Sequence, residues 1–161
     1  MKKGFTLIEL LIVIAIMGIL TSITVSQFVT AKKKANDVAR KSDLNGISKA
    51  LQMYFADYGE MPAASVDGKM VVKGTTVDWG GTFMDGTYVY MKVVPKENNT
   101  SLPAYCYKTD SEKKKYALFA QLENTSDKEC IGSYPCGNAG KTYCFSYVSP
   151  NTSLSVGGSL Q

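Results

Sequence analysis

From Phe5 to Leu20 the chain is apolar except at Thr6, Glu9 and Gly18, and the apolar character carries on to Val29 with hydroxyl residues interspersed. The 25 residues from Phe5 to Val29 make a helix of about 37 Å at about 1.5 Å per residue, enough to cross the hydrocarbon core of a bilayer. After Thr30 the pattern changes. Ala31, Ala35, Val38, Ile47, Leu51, Tyr54, Phe55 and Tyr58 recur mostly at three- and four-residue steps, and no proline interrupts the chain from Met1 to Met61. Gly59 supplies a helix stop, with Pro62 just beyond it. The pattern predicts one rod to about Tyr58, apolar over 5–29 and amphipathic over 30–58. Such a rod is about 80 Å long. No domain of this size can bury it whole, so its first half needs lipid or other copies of itself. Gly18 to Ser26 is rich in residues that form helices less readily than Ala or Leu. It is the expected weak point of a rod that is otherwise helical in the isolated subunit.

From Ala63 the periodicity shortens. Runs 69–73, 87–91, 105–108, 116–122 and 143–148 are rich in aromatic or β-branched residues and bounded by Gly, Pro, Asn and Asp. They read as antiparallel strands, with the best hairpin joining 105–109 to 115–122. The amphipathic half of the helix is the one long element able to cover the apolar face of a sheet. The expected fold is therefore α+β, a helix laid across a small meander within 59–161. Residues 149–161 read as a loose polar tail, and Lys32 to Asp43 as a basic, solvated helix face.

Composition narrows the function. The chain has 161 residues, 45% hydrophobic and 20% charged, which fits a single domain with an appendage. It contains no histidine, which removes His-based acid/base catalysis, the usual nucleophile triads and most zinc sites, so an enzyme is not expected. No cofactor is expected either. The net charge of +4 includes Lys2 and Lys3 and is too weak to argue nucleic-acid binding by itself. The ten tyrosines are read as strand and core residues, Tyr54, Phe55 and Tyr58 among the helix contacts to the sheet.

All four cysteines, Cys106, Cys130, Cys136 and Cys144, lie in the polar part. An even count points to an oxidising compartment and two disulfides. Three pairings are possible. The local choice is Cys130 with Cys136 and Cys106 with Cys144, stapling a loop that holds Gly132, Pro135, Gly137 and Gly140. Asp67, Asp78 and Asp85 lie in a Gly-rich region without the ligand spacing of an EF-hand, and are read as turn caps. Asn98, Asn99, Asn124 and Asn151 open Asn-x-Ser/Thr patterns, which matter only in a host with glycosylation machinery.

The chemistry concentrates at Glu9. An acid within an apolar span costs on the order of 2.5 to 3.5 kcal/mol by insertion scales, so it calls for a positively charged partner. A signal peptide has a similar outline, with Thr24-Val25-Ser26 as a small-residue cleavage site, but no use for this acid. Cleavage between Gly4 and Phe5 would release an amine four residues before Glu9, able to pair within one chain or with the acid of the next copy. Lys2-Lys3-Gly4 followed by Phe5-Thr6-Leu7-Ile8-Glu9 resembles the leader and processing site of type IV pilins and type II secretion pseudopilins. The resemblance implies that residues 1–4 are a leader, cut after Gly4 by a prepilin peptidase that methylates Phe5, and that Glu9 helps subunits dock. It also implies a homopolymer of identical subunits built by a pilus or secretion assembly machinery. The subunit would start in the inner membrane, in contact with the lipid bilayer, and end in a surface filament. The fold implied is the same helix on a small sheet. Filament pilins often carry a proline in the stretch where this chain has Gly18 to Ser26. Some secretion-system relatives bind calcium. A major pseudopilin and a membrane-tethered, non-polymerising binding module are the alternatives.

Overall fold

The computed structural model describes residues 4–137, 141–150, 152–155 and 157–161, apart from the side chains of Ile23 and Ser26. Among the described residues, helix α1, Leu7–Tyr58, is followed by ten short strands. These are β1 Ala63–Ala64, β2 Met70–Val72, β3 Thr75–Val77, β4 Phe83–Met84, β5 Val89–Met91, β6 Cys106–Thr109, β7 Tyr116–Ala120, β8 Tyr134–Pro135, β9 Thr142–Tyr143 and β10 Phe145–Val148.

Both helix ends stop for local reasons. Thr6 is the N-cap, in extended conformation, and Gly59 closes the other end at φ 66°, its N–H bonded to the Phe55 carbonyl at 2.7 Å. That left-handed turn suits glycine, which has no Cβ to clash. Between them the helix is unbroken over 52 residues. Within 18–26, Thr21 donates to the Met17 carbonyl at 2.8 Å, Ser22 to Ile19 at 2.7 Å and Thr24 to Leu20 at 2.8 Å. These hydroxyls find partners without water, at the cost of competing with the backbone ladder.

The second half of α1 packs through one stripe at three- and four-residue steps: Asp37, Arg40, Leu44, Ile47, Leu51 and Tyr54, all buried. Val38, expected on this face, is 66% exposed because it lies about 100° of helix rotation from Asp37. Tyr54 stacks among Phe83 and Tyr90, as core packing requires, and Phe55 is half-buried beside it. A buried hydrogen bond of 2.6 Å between Ser48 Oγ and the Tyr116 hydroxyl ties the helix to β7.

Among the described residues, the single meander expected from the sequence is instead four small antiparallel sheets: β1-β2-β3, β10-β7-β6, β4-β5 and β8-β9. Turns divide it, with Gly68, Gly74, Gly80 and Gly86 at positive φ between segments of two or three residues. The predicted hairpin forms as β6 with β7, from Cys106 opposite Phe119 to Thr109 opposite Tyr116. β10 pairs with the other edge of β7. β7 is thus central, and all five of its residues are buried. Tyr116, Leu118 and Ala120 face α1, whereas Ala117 and Phe119 face a second core with Cys106, Cys136 and Tyr143. This two-sided burial explains why the run Tyr-Ala-Leu-Phe-Ala does not alternate.

Leu154 and Leu160 cover that second core. They form an antiparallel bridge, backed by reciprocal hydrogen bonds between Ser153 and Gln161 at 3.2 and 3.0 Å. The end of the chain is therefore a folded flap rather than a loose tail, because the outer face of β7 needs a cover.

Candidate assembly site

The tip of the rod is organised around Glu9. Its backbone N–H donates to Thr6 Oγ1 at 3.3 Å, while its carboxylate accepts from the Thr6 N–H at 2.9 Å and the Thr6 hydroxyl at 2.7 Å. This capping box turns the acid back over the amino end of the helix, where the unpaired N–H groups and the helix dipole favour negative charge. Phe5 beside it is 83% exposed, and Gly4 stands in open space. Lys2 and Lys3 lie outside the described residues. The apolar half that follows has no cover at all, and α1 is the one helix among the described residues long and apolar enough to cross a membrane. The structure thus presents a carboxylate, an accessible Gly4-Phe5 bond and a bare apolar surface together at one end.

The other end of the exposed half meets the globular part through a charge network that the sequence reading does not anticipate. Arg40 is buried and contacts Asp37 at 2.7 Å, Glu97 at 2.6 Å and Glu123 at 2.7 Å. Three carboxylates exceed one guanidinium, and neutral donors make up the difference. Asp37 accepts the backbone N–H groups of Glu123 and Asn124, each at 2.9 Å, Glu97 accepts that of Asn99 at 2.8 Å, and Glu123 accepts the Asn36 and Asn99 amides at 3.1 and 3.2 Å. Burial pushes the Glu97 carboxyl up, but the hydrogen bonds from Arg40 and Asn99 outweigh it and hold the group below its ordinary range. The Arg40 hydrogen bond does the same for Glu123. The expectation of a solvated face over 32–43 holds for Lys32, Lys33 and Lys34, which are exposed, and is corrected at Asp37 and Arg40, which are buried. A signal for it exists, since Asp37 and Arg40 fall on the same helical stripe as Leu44, Ile47 and Leu51.

Lys41 is also engaged. It bonds Asp127 at 2.9 Å and Glu129, with its ammonium 5.4 Å from the Phe145 ring centre, and so ties the start of the stapled loop to the helix.

The cysteines pair as Cys106–Cys136 and Cys130–Cys144, which corrects the pairing expected from the sequence. Tyr134 pairs with Tyr143, which brings the chain after β9 back beside the chain before β8, so Cys144 meets Cys130. Cys136 is left for Cys106 on β6. Gly68 makes this second bridge possible, since a Cβ there would lie 2.0 Å from Cys106 Sγ. At the stapled loop Ile131 is 81% exposed. Gly140, also expected in the loop, lies outside the described residues.

The remaining sequence candidates disperse. Asp78 pairs with Lys69 at 2.6 Å, and Asp85 caps its own turn through the N–H groups of Thr87 and Tyr88 at 2.8 and 2.7 Å while accepting the hydroxyl of the half-exposed Tyr58. Those bonds, the Tyr58 hydroxyl first, hold the Asp85 carboxyl well below the usual carboxylate range. Asp67 does not join them, and among the described residues no three acidic or thiol groups converge as metal ligands. Asn99 is spent on Glu123, Asn124 accepts the Ser126 N–H at 3.3 Å, and Asn98 is exposed. Asn151 lies outside the described residues.

With the tip geometry in view, the sequence comparisons are specific. Residues 1–25 match the family model described as the prokaryotic N-terminal methylation motif. That motif and the relatives below support a pilin or pseudopilin family. It is 34% identical over 89 residues to "Type II secretion system core protein G" of Aeromonas hydrophila, covering 55% of this chain and 62% of that protein. It is 49% identical over 55 residues to "Type IV wide pilus major component PilA4" of Thermus thermophilus, covering 34% and 42%. The core protein G of Vibrio cholerae is 31% identical over 96 residues, covering 60% and 64%. The chain thus spans roughly two-fifths to two-thirds of the length of these relatives. No solved structure matches. The matched motif coincides with the capped, exposed tip, while the disulfide-stapled end belongs to the globular part.

Proposed function

We propose that this chain is a structural subunit, inserted by the apolar half of α1, processed between Gly4 and Phe5 with methylation of Phe5, and polymerised into a surface filament. The observation that carries the reading is a helical half left bare by its own fold, with one acid at its tip. In lipid that surface is satisfied by acyl chains, and in a filament by the same half of other copies. The amine released at Phe5 supplies the counter-charge for Glu9 of a neighbour, so registers that leave either charge unpaired are disfavoured. A prepilin peptidase and an assembly machinery are the partners this requires. Residues 1–4 then serve as the leader, 5–29 as the membrane and assembly segment, 30–58 as the packed half, and 59–161 as the displayed domain. The subunit starts in the cytoplasmic membrane with its disulfide-bonded part on the oxidising side.

Mass spectrometry of the cellular protein tests this. A chain beginning at Phe5 and heavier by one methyl group is expected, whereas one beginning at Gln27 marks an ordinary signal peptide and removes the filament reading.

The relatives named core protein G favour a second reading, the major pseudopilin of a secretion system. The stapled loop with Ile131 at the surface favours a displayed pilus. Imaging of long filaments outside cells that lack any type II secretion system separates the two.

A further inference from the structure

Two grooves meet at Phe28. The first, about 370 Å³, runs along α1 between Leu20, Thr21, Thr24, Val25 and Phe28. It is apolar in character because the hydroxyls of Thr21 and Thr24 are turned onto the carbonyls of Met17 and Leu20. The second, about 760 Å³, opens from Phe28 and Val29 onto Lys32 and Lys33 of the helix and Lys96 of the loop after β5. Its carboxylates are committed. Glu97 and Glu123 bind Arg40, and Asp43 accepts the Tyr105 hydroxyl at 2.8 Å. Lys32, Lys33 and Lys96 are exposed and, among the described residues, form no ion pair.

We propose that this continuous groove binds one anionic phospholipid of the leaflet facing the globular domain, with its phosphate among Lys32, Lys33 and Lys96 and an acyl chain along Phe28 to Leu20. The inference rests on the membrane-inserted subunit proposed above. The depth agrees. Lys32 and Lys33 stand about 5–6 Å beyond Val29 along the helix, and the headgroup layer occupies about 5–7 Å beyond the hydrocarbon. The charge also selects. A phosphate finds three unpaired ammonium groups, while the ammonium of a zwitterionic headgroup finds no uncommitted carboxylate. Lys96 is the decisive residue, because it comes from the globular domain and converts a basic helix face into a two-sided site.

The full chain in mild detergent is titrated with dioctanoyl phosphatidylglycerol, dioctanoyl phosphatidylcholine or inorganic phosphate, and bound species are counted by native mass spectrometry. Saturable, single-site binding of phosphatidylglycerol in preference to the other two is expected. Lys96→Gln should weaken it by about fivefold, the order of effect of one surface lysine on an anionic headgroup. Lys34→Gln, which removes the same charge outside the groove, should leave it unchanged. Equal binding of phosphatidylcholine, equal binding of phosphate alone, or equal losses in both variants overturns the site. Flotation of the same chain with phosphatidylcholine vesicles separates the two levels. If it floats yet shows no phosphatidylglycerol preference, the lipid site alone falls. If it does not float, the membrane-inserted subunit falls and takes the site with it.

Discussion

The two halves of α1 share one unbroken backbone, yet they treat polar groups in opposite ways. In 5–29 the polar side chains that bond do so within the helix itself, Glu9 with its own N-cap and the hydroxyls of Thr21, Ser22 and Thr24 with carbonyls one turn earlier. In 30–58 the buried polar groups reach across sequence, from Asp37 and Arg40 to Glu97 and Glu123. The surroundings proposed for each half account for the difference. A segment facing hydrocarbon has to close its hydrogen bonds locally before any neighbour arrives. A segment packed on its own domain can share charge with it, provided every partner is present. On the proposed function, the exposed half exchanges one apolar surrounding for another, whereas the packed half is committed to one arrangement.

The most disruptive way to break this contrast is at the tip. Glu9→Leu should abolish filaments, since it leaves each neighbouring amine unpaired in an apolar setting, a loss on the order of 3–5 kcal/mol per contact. The melting temperature of the globular part and membrane insertion should be unchanged. Filament yield in sheared fractions, with insertion followed by flotation, reads both, and filaments at normal yield would remove the pairing from the mechanism. Arg40→Ala attacks the other half. With three carboxylates left uncompensated, thermal or urea unfolding should show a loss of about 3–5 kcal/mol, while insertion persists.

A smaller change sharpens the same point. Glu97 and Glu123 sit below the ordinary glutamate value of 4.5. Such groups bind fewer protons in the fold than in the unfolded chain, so they stabilise the domain above that value and lose this contribution as pH falls through their folded range. Stability should hold steady from neutral pH and decline below about 4.5. Glu123→Gln should reduce that acid slope while costing about 1.5–3 kcal/mol at neutral pH through a lost charged hydrogen bond. An unaltered slope would show that the network does not govern acid unfolding. Smallest is Gly59→Ala. Open space surrounds the position, so only the φ of 66° opposes a side chain, and the expected loss is about 1 kcal/mol in the same unfolding assay.

Much of this is legible along the chain. A helix to Tyr58, its glycine stop and the hairpin of β6 and β7 rest on short-range patterns, periodicity and a left-handed cap, and so does the position of Glu9 as a lone acid in an apolar run. The departures have one common source, which is that local character does not fix a residue's surroundings. Val38 has the right residue type for the packed face but the wrong angle around the helix. Asp37 and Arg40 are charged yet buried, because their partners arrive from distant loops. Closeness in sequence does not pair the cysteines, since the β8–β9 register sets them. Residues 149–161 are polar in composition, yet Leu154 and Leu160 suffice to cover β7.

Local order along the chain was enough to specify a long helix with a bare apolar half, one acid near its tip and a strand-rich remainder, because those properties depend on neighbours within a turn or two. Which cysteines meet, which acids surround Arg40 and where Lys96 comes to stand beside Lys32 and Lys33 depend on contacts between segments tens of residues apart. Only folding brings those segments together, since burial and hydrogen-bond satisfaction are decided between elements rather than within them.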